Sequence, residues 1–141
     1  CGEPVCDITV EHSRLHGVTV SGSIIPTLID EIPILAVAAA FASGTTIIKN
    51  AEELKVKESN RIDALYNELT KMGANITKLD DGLIIEGGAA LCGAEVDSYD
   101  DHRIAMSLAI AALKCSSETF ITNPSCIKIS FPNFFEILEA L

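Results

Sequence analysis

Apolar residues recur at helical spacing in one stretch of the chain. Residues three or four positions apart form one face of a helix, and this spacing links Ile62, Leu65, Tyr66, Leu69 and Met72. Ser59 or Asn60 is suited to cap the start of this helix, and Gly73 is a typical stop signal after it. The pattern therefore predicts an amphipathic helix that begins at Asn60.

Two longer apolar runs follow aspartates and predict further helices. Asp30 precedes a run that predicts a largely buried helix over residues 31–42, with Asp30 as its N-cap. Asp100-Asp101-His102-Arg103 opens a second apolar helix that ends near Leu113. A last helix is predicted over residues 132–141, because Pro132 is favourable in a first helical turn.

Short apolar runs between turn residues predict strands. The predicted strands are residues 7–10, 17–21, 45–49, 75–79, 82–86, 94–99 and 118–122. Asp80-Asp81-Gly82 separates two of these runs, and Asp-Gly between apolar runs is a strong signal for a hairpin. The sequence therefore alternates strands and helices.

The order of predicted elements repeats along the chain. Asp101 follows Asp30 by 71 residues, and Asn123 follows Asn50 by 73 residues. One β-α-β-α-β-β unit covers about residues 7–87, and a partial second unit covers about residues 94–141. The predicted fold class is α/β (α+β), one fragment over residues 1–141 with helices packed against sheets.

Composition narrows the possible partners. With 10 basic and 20 acidic residues the formal net charge is −10, and no tryptophan is present, so a nucleic-acid partner is not expected. No 18-residue apolar run indicates a membrane span. Five cysteines without a C-x-x-C motif favour a reduced, cytoplasmic protein. The start at Cys1 indicates a fragment or a processed chain.

Charged residues stand at the start of the helix that is predicted to begin at Asn60. Lys57-Glu58-Ser59-Asn60-Arg61 contains two cations and one carboxylate. A helix N-terminus offers unpaired N–H groups and partial positive charge, so these cations favour a phosphate or carboxylate ligand. Glu58 would oppose such a ligand unless it carries or exchanges a proton. The alternative interpretation is a solvated helix start with loosely paired charges.

Polar residues at the other helix starts extend this candidate site. If the units stack in parallel, several helix N-termini concentrate positive potential in one cleft. Arg61 and Arg103 can each hold an anion through a two-pronged hydrogen bond, and Lys57 supplies a point charge. Asp30 and Glu58 are candidates for general base and general acid, in either assignment.

Each of these residues also has a simpler interpretation. Asp30 and Asp101 are suited to cap helices without any further role. His102 can donate a hydrogen bond or a proton near neutral pH, but it is equally typical of a surface or capping histidine. Arg103 can be an ordinary ion-pair partner. The residues alone leave both interpretations open.

Three motifs taken together resemble one enzyme family. They are Lys57-Glu58-Ser59-Asn60-Arg61, Tyr99-Asp100-Asp101-His102-Arg103 and Ser130-Phe131-Pro132, in this order. They resemble the C-terminal part of the 5-enolpyruvylshikimate-3-phosphate synthase family, also called 3-phosphoshikimate 1-carboxyvinyltransferase. Asp30 before an alanine-rich helix is similar to the family as well. Each motif is weak alone, but the ordered set is specific.

The resemblance implies a transferase of the shikimate pathway to aromatic amino acids. Such an enzyme moves the enolpyruvyl group of phosphoenolpyruvate to the 5-hydroxyl of shikimate 3-phosphate and releases phosphate. The resemblance implies Asp30 as the proton acceptor at the hydroxyl and Glu58 as the proton donor to the enolpyruvyl methylene. It implies that the shikimate phosphate binds Lys57 and that phosphoenolpyruvate binds Arg61, His102 and Arg103. It implies no metal and no cofactor.

The resemblance also implies an incomplete site. The enolpyruvyl transferase fold consists of two domains of repeated β-α-β-α-β-β units, with the substrates between them. This chain would hold two of the three units of one domain, and its partner would be the missing N-terminal part of the enzyme. We therefore expect half an active site and no turnover by the isolated fragment.

Two departures and two rival interpretations qualify the resemblance. The family often has a substrate-binding lysine two residues before Phe-Pro, where this chain has Ile129. Lys128, one residue earlier, is the substrate-binding candidate in its place. It often has Asp in place of Asn60, and both residues cap helices. The rivals are a related enolpyruvyl transferase acting on UDP-N-acetylglucosamine and a non-catalytic α/β scaffold.

Overall fold

The structure is a computed structural model that describes residues 2–140. Its helices are α1 (Ile25–Leu28), α2 (Ile32–Phe41), α3 (Arg61–Lys71), α4 (His102–Ala112) and α5 (Phe134–Glu139). Its strands are β1 (Thr19–Val20), β2 (Thr45–Ile48), β3 (Asn75–Leu79), β4 (Gly82–Glu86), β5 (Glu95–Asp97) and β6 (Phe120–Thr122). Short 3-10 helices occupy Gly22–Ile24, Glu52–Val56 and Pro124–Ile129.

The strands form two sheets. The larger sheet has the order β1-β2-β4-β3, with β1 parallel to β2 and β4 antiparallel to both of its neighbours. The predicted hairpin is confirmed, because Leu79 pairs with Gly82 across the turn. A side chain at position 82 would overlap the carbonyl oxygen of Ile48, so only glycine allows this close approach. The smaller sheet pairs β5 with β6 in parallel.

The two halves of the chain repeat the same local order. Each has a parallel strand pair with a helix between the two strands, β1 with β2 and β5 with β6. Each second strand is followed by an asparagine with positive φ, 60° at Asn50 and 47° at Asn123. A 3-10 helix and an α-helix then follow in both halves. The element order thus agrees with a repeat, while its unit boundaries stay a prediction.

The core lies where α2, α3 and α4 meet the sheets. The helix α2 is buried on most of its circumference and has alanines at four of its positions, which allow close approach to α4. The apolar face of α3 packs on β3 and β5 through fully buried Leu65 and Leu69. This packing fixes the start of α3 close to the starts of α2 and α4, where the candidate residues lie.

Several predicted strand and helix bounds are wrong. Residues 7–10 form no strand, because no described strand pairs with them, and Ile8 and Val10 are 82% and 88% exposed. The strand predicted over residues 94–99 ends at Asp97, because Tyr99 and Asp100 adopt left-handed φ values of 54° and 55°.

The last predicted helix is shorter than expected at its start. It begins at Phe134 and not at Pro132, and a 3-10 helix and a turn precede it. Its predicted end at Leu141, like Cys1, lies outside the described residues.

The predicted capping role of Asp30 is also wrong. The helix α2 begins at Ile32, and Glu31 occupies the N-cap position without a capping side-chain hydrogen bond. The carboxylate of Asp30 instead contacts Arg61, which lies 31 positions away in the sequence. A contact across this distance gives no local signal, so the sequence pattern could not separate it from a cap.

Between residues 2 and 140, no single helix has the length and apolar character to cross a membrane. The segments Gly22–Leu28 and Ile32–Phe41 meet those criteria only as a pair, which is bent by 109°.

Candidate active site

Arg61 is the centre of a cluster of charged side chains. It occupies the first position of α3, and its side chain is fully buried. Its Nη1 donates to Asp30 Oδ1 at 2.9 Å, its Nη2 to Glu58 Oε2 at 2.5 Å, and its Nε to Asp101 Oδ2 at 2.8 Å. Three carboxylates from three segments of the chain therefore meet on one guanidinium group.

These carboxylates keep Arg61 charged despite its burial. Burial alone would lower the pKa of Arg61, but hydrogen bonds to Asp101 and Asp30 outweigh burial and raise that pKa. Burial would likewise raise the pKa of Asp101, but the hydrogen bond and the charge of Arg61, together with further hydrogen bonds to the carboxylate, outweigh burial and lower that pKa. The buried pair is thus ionised on both sides.

Asp101 joins the starts of two helices. Its Oδ1 accepts hydrogen bonds from the backbone N–H groups of Arg103 at 2.9 Å and Ile104 at 3.4 Å, so its predicted role as the N-cap of α4 is confirmed. Its Oδ2 accepts from Arg61 and from the hydroxyl of Ser59 at 3.0 Å. One carboxylate therefore holds the start of α4 against the start of α3.

Arg103 connects α4 to the start of α2. Its Nη1 donates to the backbone oxygen of Asp30 at 2.8 Å and to Glu31 Oε1 at 3.1 Å. Its Nη2 lies 3.8 Å from Asp30 Oδ2. The side chain is 30% exposed, so part of this guanidinium group remains accessible to a ligand. The starts of α2, α3 and α4 therefore face one region, in agreement with the prediction that several helix N-termini meet in one cleft.

The cluster is buried on one side and open on the other. The side chain of Asp30 is 46% exposed and that of Glu58 is 48% exposed, whereas Arg61 and Asp101 are inaccessible. A cavity of about 180 Å³ opens beside Arg103. Its apolar lining comes from α2, α4 and α5 and consists of Ile34, Met106, Ile110 and Phe134.

Lys57 lies at the edge of the cluster. Its Nζ donates to Glu53 Oε1 at 2.8 Å, and this contact raises the pKa of Lys57. The pKa of Asp30 is lowered by the hydrogen bond from Arg61, and the charges of Arg103 and Lys57 act in the same direction. Asp30 is therefore an ionised carboxylate surrounded by three cations.

The two remaining candidates differ in position. His102 is the first residue of α4, beside Arg103, and is half-buried. Lys128 is exposed in the 3-10 helix Pro124–Ile129 and lines a separate cavity with Phe135 and Glu136. The structure therefore brings Asp30, Glu58, Arg61 and Arg103 together and leaves Lys128 elsewhere.

Asp101 has a role that the sequence pattern did not reveal. The pattern predicts it as a helix cap, and the structure shows it also as the buried partner of Arg61. A signal was present, since Arg61 lies four residues before Leu65 on the face of α3 that carries the apolar stripe. An arginine on a buried face requires a carboxylate close by.

This arrangement is suited to small anions that compete with the carboxylates. All three nitrogens of Arg61 already donate to carboxylates, so an anionic ligand at Arg61 would have to take over donors that now serve Asp30 or Glu58. Helix N-termini add partial positive charge to the same region. The two half-exposed carboxylates lie where a bound anion would meet them.

One known protein family matches nearly the whole chain. The model of the family described as EPSP synthase (3-phosphoshikimate 1-carboxyvinyltransferase) matches residues 2–138. The chain belongs to the EPSP synthase family. The family resemblance of the three motifs is thereby confirmed.

Curated members of the EPSP synthase family are similar over nearly the whole chain. The 3-phosphoshikimate 1-carboxyvinyltransferase of Thermoanaerobacter sp. (strain X514) is 58% identical over 139 residues, which are 99% of this chain and 33% of the relative. The protein of the same name from Acaryochloris marina is 56% identical over 140 residues, 99% of this chain and 31% of the relative. The chain thus spans about a third of the length of these relatives.

Solved structures support the same fold. An EPSP synthase from Acinetobacter baumannii superimposes with a TM-score of 0.86 at 39% sequence identity, over 90% of this chain and 30% of that protein. The enolpyruvyl transferase NikO from Streptomyces tendae superimposes with a TM-score of 0.66 at 23% identity, which shows the fold alone. The predicted enolpyruvyl transferase fold is confirmed, and the nucleotide-sugar enzyme is the less supported alternative.

Proposed function

We propose that this chain forms one wall of the active site of an enzyme that joins phosphoenolpyruvate to shikimate 3-phosphate. The observation that carries the proposal is the convergence of Arg61 and Arg103 with Asp30 and Glu58 in a chain of the EPSP synthase family. Two highly anionic substrates need several cations, and the addition needs one proton removed and one delivered. The cluster supplies groups of both kinds.

The proposed reaction assigns each proton to a carboxylate. The oxygen of the 5-hydroxyl forms a bond to C2 of phosphoenolpyruvate, and Asp30 takes the hydroxyl proton. Glu58 delivers a proton to the C3 methylene, which becomes a methyl group in a tetrahedral intermediate. The bond from C2 to the phosphate oxygen then breaks and phosphate leaves with the proton that Asp30 took, while Glu58 takes back a methyl proton and the enol ether is restored. Lys57 contacts the shikimate phosphate in this scheme.

Substrate binding would tune Asp30 for its role as the base. Asp30 has a lowered pKa because Arg61 binds it, and a carboxylate with a lowered pKa is a weak base. A substrate anion that takes over donors of Arg61 and Arg103 removes this stabilisation and makes Asp30 more basic. His102 adds a further donor beside Arg103, while the role of Lys128 stays a prediction.

A chimaeric enzyme tests the proposal directly. The chain replaces the matching third of the Thermoanaerobacter enzyme, to which it is 58% identical. Glu58→Gln removes the proton donor and Arg103→Ala removes an accessible cation. We expect each to lower kcat/KM about 10²- to 10⁴-fold, the range for loss of a positioned acid or an electrostatic contact. The measurement is phosphate release at saturating and limiting phosphoenolpyruvate.

A matched control uses an acid outside the cluster. Glu86 is exposed at the end of β4 and pairs with Thr45 at the start of β2, opposite to the end that leads to Lys57. Glu86→Gln should leave kcat/KM within about twofold, since isolated surface substitutions have small effects. Near-normal kcat/KM in both Glu58→Gln and Arg103→Ala would refute the assignment of the cluster.

A further inference from the structure

Glu68 is a fully buried acid outside the charged cluster. It lies on α3, and its carboxylate has three partners. Its Oε2 accepts from the backbone N–H of Asp97 at 3.0 Å and from Lys71 Nζ at 2.7 Å, and its Oε1 accepts from the hydroxyl of Tyr99 at 2.9 Å. Two of these partners belong to the segment that connects β5 to α4.

That segment adopts an unfavourable backbone conformation. Tyr99 and Asp100 have consecutive positive φ values of 54° and 55°, which residues with side chains seldom adopt. Such a conformation persists only when the surroundings hold it, and it is common at functional sites. Glu68 of α3 hydrogen-bonds to the start of the segment. On the other side, Asn123 after β6 contacts the segment through two hydrogen bonds. Its side-chain amide donates to Asp100, and its backbone oxygen accepts from the hydroxyl of Ser98 at 3.3 Å.

The helix α3 therefore forms hydrogen bonds with the segment between β5 and α4 at two points. Arg61 binds Asp101 at one end, and Glu68 binds Asp97 and Tyr99 at the other. Arg61 and Glu68 are seven positions apart, which places them on the same face of the helix two turns from each other. Both are completely buried. The path of the chain into His102 and Arg103 is thus set by α3.

We propose that Glu68 is a positioning residue, which acts through the Asp97–Asp101 segment to aim Arg103 at the anionic co-substrate. This inference rests on the proposed function, in which Arg103 binds phosphoenolpyruvate. Glu68 does not touch the cluster itself, and its contacts end at Asp97, Tyr99 and Lys71. Its loss would free the left-handed segment to relax and would displace Arg103, while Lys57 and Asp30 lie on other segments and keep their places.

The test compares Michaelis constants in the chimaeric enzyme. Glu68→Leu keeps most of the side-chain volume and removes every acceptor. We expect the KM for phosphoenolpyruvate to rise about tenfold or more, because lost binding appears in KM. The KM for shikimate 3-phosphate should change less than about twofold, since only one substrate uses Arg103 in this scheme. A general loss of packing would not select one substrate.

A conservative variant separates hydrogen bonding from other effects. Glu68→Gln retains one carbonyl acceptor for the Asp97 N–H, and its amide can donate to the Tyr99 hydroxyl. We expect the KM for phosphoenolpyruvate to remain within about threefold of the unsubstituted value, because these bonds are kept. Glu86→Leu is the matched control, because it removes an exposed glutamate at the opposite end of the sheet, and both KM values should be unchanged.

The possible results distinguish the two proposals. No turnover by the unsubstituted, folded chimaera overturns the proposed function, and the positioning role falls with it. Normal turnover with an unchanged KM for phosphoenolpyruvate in a folded Glu68→Leu enzyme overturns the positioning role alone. If melting by circular dichroism shows that Glu68→Leu does not fold, Tyr99→Phe takes its place. It removes only the hydroxyl, which bonds to Glu68 and to Asn67, and should raise that KM about threefold. No change in that KM also overturns the role.

Discussion

Arg61 combines complete burial with three carboxylate partners, and only Asp101 among these is buried as well. A buried charge that loses its partner is costly, because the remaining charge stays in a poorly solvated place. An exposed ion pair contributes little, because water replaces either partner. The contribution of each carboxylate to stability should therefore follow its burial more than its distance from Arg61.

Asp101→Asn tests this at the residue scale. We expect the free energy of unfolding at pH 7 to fall by about 3 kcal/mol, the order found when one partner of a buried pair is removed. Asp63→Asn is the control, because its ion pair with Lys78 at 2.9 Å joins side chains that are each 45% exposed. This control should cost less than about 1 kcal/mol. Urea unfolding measures both, and equal losses would contradict the role of burial.

The same pair makes stability depend on pH. The pKa of Asp101 is lowered in the folded chain, since burial is outweighed by the hydrogen bond and the charge of Arg61 together with the hydrogen bonds from Arg103 and Ser59. A lowered pKa means that the stabilisation is present above the unfolded pKa of about 4 and is lost as pH falls through the folded pKa. The difference in unfolding free energy between Asp101→Asn and the unsubstituted chain should therefore shrink below about pH 4. A constant difference down to pH 2 would contradict this linkage.

At the scale of elements, two asparagines mark equivalent turns after β2 and β6. Asn50 and Asn123 both have positive φ, and a side-chain hydrogen bond stabilises each turn. Asn50 Oδ1 accepts from the Gly22 N–H at 3.0 Å, and Asn123 Nδ2 donates to Asp100 Oδ1. Asparagine tolerates this left-handed conformation better than most residues. The turns direct the chain from each parallel strand into the next helix.

Paired substitutions at these turns give a second stability test. At Asn123, Ala should be less stable than Gly by about 1 kcal/mol, because Ala resists positive φ. Asn50 should show the same order. Asn67 is the control, since it is exposed inside α3. There the order should reverse, because Gly is less favourable than Ala in a helix interior. Thermal unfolding measures the Ala and Gly variants at Asn50, Asn123 and Asn67, and the same order at these three positions would contradict the assignment.

Elements whose signals are local could be predicted from the sequence. Four such predictions are confirmed: the apolar stripe of α3, its Asn60 cap, the Asp-Gly hairpin and the Asp101 cap. Each depends on successive residues that lie within one turn of each other. The prediction that Asp30 is a cap was wrong, because its partner Arg61 comes from another segment. The strand predicted over residues 7–10 failed because a strand also needs a neighbour, which periodicity does not provide. The contacts of Glu68 are likewise tertiary.

At the scale of the whole molecule, the charge distribution matters more than the net charge. The chain carries −10 formally, yet Lys57, Arg61 and Arg103 lie in or beside one cluster at three helix starts. Each of these cations contacts an acidic side chain of the protein. The chain covers about a third of its relatives, and the cluster has an open side at Asp30 and Glu58. We therefore expect the opposite wall of the site to come from the rest of a family member.

The most direct test is the steady-state turnover of phosphoenolpyruvate with shikimate 3-phosphate, measured for this chain alone and for the chimaera with the Thermoanaerobacter enzyme. An active site sequesters its reaction from water only when both walls are present. The chain alone should therefore release no phosphate above background, and the chimaera should turn over both substrates. Turnover by the chain alone at a rate comparable to the chimaera, or a folded chimaera without activity, would contradict the account.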